Sequence, residues 1–459
     1  MCNRVNLFWY DILFALIDGR ARKIVNVEDV FGVSGKQVAS YVERPQVDDK
    51  FIDALRTDKQ IIVYGASKQG KTALVKKYIP YEDNILISLS PKTTLKDVYQ
   101  SILRKSGVVL KTSYTEGTGN TSKVHSKASI QSAVAMVVKG KVEVGVEGNK
   151  SVKAEEQYDE IEFNLELPDD VADLIQRVGH KKVIILENFH YLPESLQRTF
   201  AYDLRTFQDL KIRFIILGVW KEANRLAQFN GELQDRVYEI PVEPWSDDDF
   251  RTIARKGEPL LNIKFSTVLL ENCISNAFSS VGVFQELLKN TCIESGINNK
   301  QQTSIYLDDI DALERAIESK TIEYSGRHLR NLEAIACGNG VSISKDKPLP
   351  YFLPYYIVMH MLELGYHGFN GGVSKEALLH GIKQVHHRKE SLKGSQLTSV
   401  LKGLPELQAN KGISPPVIAY DSNSRQLKVV DSTFYFFLKN ADLEQVKDEI
   451  ICPLDGLEV

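Results

Sequence analysis

The stretch Gln60-Ile61-Ile62-Val63-Tyr64-Gly65-Ala66-Ser67-Lys68-Gln69-Gly70-Lys71-Thr72-Ala73-Leu74-Val75 decides the fold. Its first five residues are a short, mostly β-branched run, so a buried strand is predicted there. Gly65 to Thr72 fits the spacing G-x-x-x-x-G-K-[ST], and the run from Ala73 to Tyr78 reads as a helix. Strand, glycine loop and helix in that order form the context that a phosphate-binding P-loop needs. Gly65 and Gly70 let the backbone turn tightly and approach phosphate oxygens. Successive N–H groups and the helix N-terminus then point at the anion. Lys71 supplies a point charge for the β- and γ-phosphates, and the Thr72 hydroxyl suits Mg²⁺. The candidate nucleotide-binding residues are therefore Gly65, Ala66, Ser67, Lys68, Gln69, Gly70, Lys71, Thr72 and Ala73, and the expected ligands are ATP and Mg²⁺.

Four further apolar runs flank this core: Asn84 to Ser90, Lys182 to Asn188, Arg213 to Gly218 and Val237 to Val242. Helical segments alternate with them, at Leu95 to Gly107, Asp169 to Gly179 and Pro193 to Leu210. Five apolar strands alternating with helices predict an α/β fold, a parallel sheet covered on both faces. A P-loop also needs a carboxylate at the end of a neighbouring strand, because strand ends aim side chains into the crevice above the sheet. Glu187 stands at such an end and is assigned to Mg²⁺, through a water. Asn188 follows where many such ATPases carry a second carboxylate as base. An amide orients water but does not take its proton. Slow hydrolysis is expected, or a base from elsewhere, with His190 as a candidate.

The 459 residues suggest two to four domains at about 100–200 residues each. Hydrophobic residues are 43% and charged residues 25%, which is ordinary globular composition. A net charge of −3 argues neither for nor against nucleic acid, so any basic patch must be local. Cys2, Cys273, Cys292, Cys337 and Cys452 are scattered without a C-x-x-C pair, which fits a reducing, cytoplasmic setting with neither disulfide framework nor zinc site. The apolar run Leu7 to Ile17 is too short to span a bilayer and is read as a helix, packed on the body of the protein or docking a partner or another subunit, so no membrane partner is expected. Residues 108–160 break the alternation. Thr112 to Lys127 is rich in Ser, Thr, Gly and Asn, and Lys139 to Gly148 alternates polar and apolar, so an insertion with a β-hairpin is expected. From Ser246 onward the strands are predicted to stop and helices to continue to about Ala336.

The segments YVERPQVDDKFIDAL, QIIVYGASKQGKTAL, KVIILENFHYL, RFIILGVW and RVYEIPVEPWSDDDF together resemble AAA+ ATPases of the origin-recognition and STAND type, over roughly residues 30–295. The resemblance implies a five-stranded P-loop sheet, a helical lid and nucleotide bound between them. It also implies assembly in which an arginine of one subunit meets the γ-phosphate of the next. Arg236, just before the last strand, matches that position and joins Glu187 and Asn188 as a catalytic candidate. The polar sensor expected at the end of the fourth strand falls at Gly218-Val219-Trp220. The second sensor region, Val281-Gly282-Val283-Phe284-Gln285, lacks the usual arginine. The implied organisation is a docking helix in 1–29, a core in 30–245 with the insertion 108–160, a lid in 246–337, a C-terminal domain in 351–440 and a tail in 441–459.

Residues 351–440 have the order of a winged helix: an apolar helix from Pro354 to Gly365, a second from Lys375 to His387 capped by Ser374, and a third from Ser395. Two short runs flanking Asp421 to Ser424 then form a hairpin. Lys383, Arg388, Lys389, Lys393 and Lys402 make this region basic and are the candidate nucleic-acid contacts. A protein-interaction or locking role is the alternative. His380, His386 and His387 are read as solvated helix positions. The resemblance takes in bacterial immune-type switches against phage as well as DNA-handling ATPases. Three expectations follow: an ATP-driven oligomeric switch that gates an effector partner, a DNA-binding initiator or loader, and a nucleotide-sensing scaffold that never hydrolyses.

Overall fold

A computed structural model describes residues 25–33, 38–108, 132–137, 158–179, 182–340 and 348–455. The predicted N-terminal helix, Leu7 to Ile17, lies outside them. The chain forms two compact units, one of residues 43–244 with 324–459 and one of residues 1–42 with 245–323.

The first unit is built on a parallel sheet. Its strands are β1 (Gln60–Gly65), β2 (Ile85–Ser88), β5 (Ile184–Glu187), β6 (Phe214–Val219) and β7 (Val237–Pro241), in the order β2-β5-β6-β1-β7. An antiparallel pair, β3 (Ser132–Val137) and β4 (Tyr158–Phe163), stands apart from that sheet. The hairpin expected at Lys139 to Gly148 falls outside the described residues. The apolar runs are continuous because both faces are covered. Ile62, Ile184, Leu186 and Phe214 pack into one core, while Ile61, Val63, Ile185 and Ile215 pack into the other. This is the α/β fold that the five runs predict.

The second unit is mainly helical. Its helix Asp247–Leu261 starts with a capping box, in which Ser246 Oγ accepts from the Asp249 N–H at 3.2 Å and Asp249 Oδ2 accepts from the Ser246 N–H at 2.9 Å. Gly257 in that helix lies against Phe31, whose Cζ would be 2.3 Å from an added Cβ. Strands do not stop at Ser246, contrary to the sequence reading. A short parallel pair, β8 (Ile263–Phe265) and β9 (Ile305–Leu307), links two helical stretches. At three residues each, these strands are too short to leave a period in the sequence.

Residues from Tyr324 belong to the first unit again. Helices Leu353–Phe369, Lys375–Val385 and Gly394–Asn410 combine with a small sheet of β10 (Val373–Ser374), β11 (Ile418–Asp421) and β12 (Gln426–Val429), ordered β10-β12-β11. Ser374 caps as foreseen, accepting from the Ala377 N–H at 3.1 Å. Two helices follow that the sequence reading did not separate, Ser432–Asn440 and Leu443–Glu449. Phe434, Phe436 and Phe437 are fully buried in the first of them. His386 and His387 are not solvated positions. His386 is 3% exposed and its Nε2 meets the Tyr351 carbonyl at 2.9 Å, while His387 Nε2 meets the Pro350 carbonyl at 3.0 Å. The two rings stack at 4.5 Å and fix the entry of the preceding chain. His380 is exposed.

Candidate nucleotide-binding site

The loop turns as its sequence demands. Gly65 adopts φ +152°, Lys68 φ +58° and Gly70 φ +85°, and Gly70 leads directly into the helix Lys71–Tyr78. A Cβ on Gly65 would stand 2.7 Å from Val242 Cγ2 and 3.1 Å from Glu243 Oε2, so close approach of β7's end requires glycine there. Lys71 Nζ donates to the Gly65 carbonyl at 3.0 Å and to the Ala66 carbonyl at 2.5 Å. Burial lowers its pKa to about 8, and the nearby Glu243 charge opposes that shift.

Glu187 is brought to the loop as expected. Its Oε1 accepts from Thr72 Oγ1 at 3.2 Å and from the Tyr81 hydroxyl at 2.9 Å. A hydroxyl and a carboxylate side by side at a helix N-terminus are hard oxygen donors, the set that suits Mg²⁺, which takes its remaining ligands from phosphates and water. Thr72 and Glu187 therefore fit the ion. Bound there, Mg²⁺ would neutralise charge on the phosphate oxygens. Tyr81 was not singled out from the sequence. Its hydroxyl is pushed well above the usual range by burial and by the Glu187 charge, so it stays a donor to that carboxylate. Asn188 has φ +61° and opens a 3₁₀ turn, Phe189–Tyr191. The left-handed residue ends the strand and starts the turn that carries His190 and Tyr191.

The sensor position has a packing explanation. Trp220 is 3% exposed and stacks on Tyr64 at 6.1 Å. A Cβ on Gly218 would fall 1.5 Å from Trp220 Cζ3, so glycine is what admits the indole. Beyond the Trp, the Arg225 guanidinium is held by Gln197 Oε1 at 3.1 Å and Glu222 Oε2 at 2.7 Å.

The first half of the loop meets protein. The Ala66 N–H donates to Glu243 Oε2 at 2.6 Å, and Lys221 Nζ lies 3.7 Å from Glu243 Oε1. The Ser67 N–H donates to the Val430 carbonyl at 3.2 Å, and Ser432 Oγ donates to the Ser67 carbonyl at 3.0 Å. Lys68 Nζ lies 5.5 Å from the Tyr324 ring centroid. Behind this contact, Asp431 caps the helix Ser432–Asn440 by accepting from the Thr433 N–H at 3.0 Å, and it takes a 2.8 Å ion pair from Arg327. His328 Nε2 meets Thr433 Oγ1 at 3.0 Å, and burial lowers that imidazole to about 4. Tyr191 and Ser414 also hydrogen-bond through their hydroxyls. A carboxylate at the end of a strand, the rule that found Glu187, also draws attention to Glu243, two residues past β7. The cap signal at Asp431-Ser432-Thr433 was likewise present in the sequence.

Arg236 sits elsewhere. Its carbonyl accepts from the Gln60 N–H at 3.0 Å, at the start of β1, and its guanidinium pairs with Asp209. The loop begins five residues further along β1, roughly 16 Å away. Among the basic candidates, Lys389, Lys393 and Lys402 are exposed, whereas Lys383 and Arg388 are half-buried. Arg388 donates to the Leu349 carbonyl at 2.6 Å and lies 4.2 Å over the Tyr351 ring.

No family model matches the chain, and no curated protein matches it. Solved structures do resemble it. A Walker-type ATPase of Pyrococcus abyssi aligns over 89% of this chain and 99% of its own, at 14% identity and a TM-score of 0.48. The ORC1 protein of Aeropyrum pernix, solved in complex with DNA, aligns over 94% and 98%, at 11% identity and a TM-score of 0.38. A STAND protein with a tetratricopeptide repeat sensor from Pyrococcus horikoshii aligns over 92% of this chain but 44% of its own, at 13% identity and a TM-score of 0.35. At these scores the likenesses carry no argument about function, and what the chain has in its own right is a P-loop on a five-stranded parallel sheet.

Proposed function

We propose that this chain is an ATP-binding, slowly hydrolysing switch of the AAA+/STAND kind, in which Gly65 to Ala73 hold the nucleotide and Thr72 with Glu187 hold Mg²⁺. It oligomerises on ATP, with Arg236 serving a neighbouring copy, and gates a partner protein, antiphage defence being one setting for such a device. The C-terminal residues 351–440 act as a winged helix. The observation that supports the reading best is the sharing of one loop between two partners. Thr72 meets Glu187 at 3.2 Å while Ser67 exchanges hydrogen bonds with Val430 and Ser432 at 3.2 and 3.0 Å.

A phosphate on the loop recruits backbone N–H groups and draws Lys71 away from the Gly65 and Ala66 carbonyls. Loop residues held by the C-terminal segment then have to readjust, so nucleotide state and C-terminal position are linked. Slow turnover follows from Asn188, which orients a water without deprotonating it.

Mass photometry of the full chain with and without ATP tests the reading, with duplex DNA in a parallel arm. A mass increase with ATP that Lys71→Ala and Arg236→Ala each abolish is the expected result. An unchanged mass with ATP, alongside a shift with duplex DNA that fades with salt, would replace the switch by a DNA-binding ATPase.

A further inference from the structure

His190 is an imidazole near the loop whose ring nitrogens are buried, and none of the contacts above uses it. It follows Glu187 by three residues, in the 3₁₀ turn that the left-handed Asn188 creates. Its ring packs on Tyr191 at 4.2 Å, and both ring nitrogens are shielded from solvent with no hydrogen-bond partner among the described residues. A structural histidine in a turn normally spends at least one nitrogen on a backbone carbonyl, as His386 and His387 do here. His190 spends neither.

Its electrostatic surroundings point the same way. The charges it feels most are those of Lys71 and Arg225, both positive. Burial and these cations lower its pKa to about 3. The ring is therefore neutral near pH 7 and offers one N–H donor and one acceptor. Arg225 is held in place by Gln197 and by an ion pair with Glu222, which balances its charge. The Lys71 ammonium beside an unpartnered imidazole makes a corner that an anion would complete. The corner lies beyond the Glu187 end of β5, on the side of the loop where Lys71 and Thr72 stand.

We propose that His190, beside Lys71, contacts the terminal phosphate of a bound nucleoside triphosphate and lets this chain tell triphosphate from diphosphate. This rests on the reading of Gly65 to Ala73 as the nucleotide loop. It gives a place to the discrimination that Gly218-Val219-Trp220, occupied by packing, does not provide.

The test is equilibrium binding of ADP and of the non-hydrolysable β,γ-imido analogue of ATP, with Mg²⁺, to the full chain. Wild type is expected to prefer the triphosphate. His190→Ala is expected to lose about tenfold in affinity for the analogue, the scale of one hydrogen bond to a charged group, while ADP affinity holds. His190→Asn, which keeps a donor, is expected to recover part of that loss. Equal losses for ADP and analogue in both variants would make His190 a structural residue and overturn the assignment. So would a His190→Ala protein that binds both as wild type does. Wild type that binds ADP without preferring the analogue overturns this assignment alone. Wild type that binds neither nucleotide overturns the loop reading together with it.

Discussion

The two halves of the P-loop face different worlds. Thr72 meets Glu187, whose carboxylate also accepts from the Tyr81 hydroxyl, and the Thr72 and Glu187 oxygens are suited to a metal. Residues 65–68 meet Glu243, Val430, Ser432 and Tyr324, all groups of the protein itself. In a loop that served hydrolysis alone, both halves would be free to close on the nucleotide. In the proposed reading, one half is a grip for ligand, while the other is held by the chain's own C-terminal segment. A loop with two partners can report the state of one to the other.

Removing the grip should have the largest effect. Lys71→Ala is expected to lower ATP turnover at least about 100-fold, since it deletes a charge aimed at the transferring phosphoryl group. Phosphate release measures it, and an unchanged melting profile would show that the protein half is intact. Glu187→Gln should cost about 100-fold in turnover while nucleotide binding persists. A variant that instead loses binding and turnover together would place Glu187 in the loop's folding.

Gly218→Ala probes the packing beneath both halves. The new Cβ would lie 1.5 Å from Trp220, whose ring stacks on Tyr64 in the strand leading to the loop. Overpacking of this kind costs about 1–3 kcal/mol, readable as a drop in melting temperature. A pH series sharpens the grip further. Lys71, lowered to about 8, is charged below that pH and neutral above it, and phosphate binding favours the charged form. Triphosphate affinity is therefore expected to hold below pH 8 and to weaken above it by up to about tenfold per unit. Lys71→Arg should flatten the profile, because guanidinium keeps its proton.

The smallest effect belongs to the protein half. Asp431→Ala removes a helix cap and the partner of Arg327, at about 1 kcal/mol for the cap. Hydrogen exchange should quicken in residues 430–440 and, if the two halves are coupled, in 65–68 as well. Acceleration confined to the C-terminal segment would break the comparison drawn above.

Much of this was written in contiguous sequence. The loop is eight residues long, so its spacing alone fixes the turn, and the five apolar runs fix a sheet buried on both faces. Glu187 was legible because it ends a run. Tyr81 was not, since a lone tyrosine after a helix carries no period or spacing. Its partner stands 106 residues away. Glu243 and Asp431 did have local signals, a strand end and a cap, but nothing local says which distant atom they meet.

The sequence by itself determined a loop of P-loop spacing, its strand and helix, and an α/β class, because hydrophobic period and glycine placement act over a few residues. Only the tertiary structure decided the order β2-β5-β6-β1-β7 and the meeting of Ser67 with Ser432, 365 residues along the chain. It also decided that Gly218 serves an indole. Those outcomes depend on how buried surfaces and polar partners are satisfied across the whole unit, and such satisfaction leaves no pattern in any one stretch of sequence.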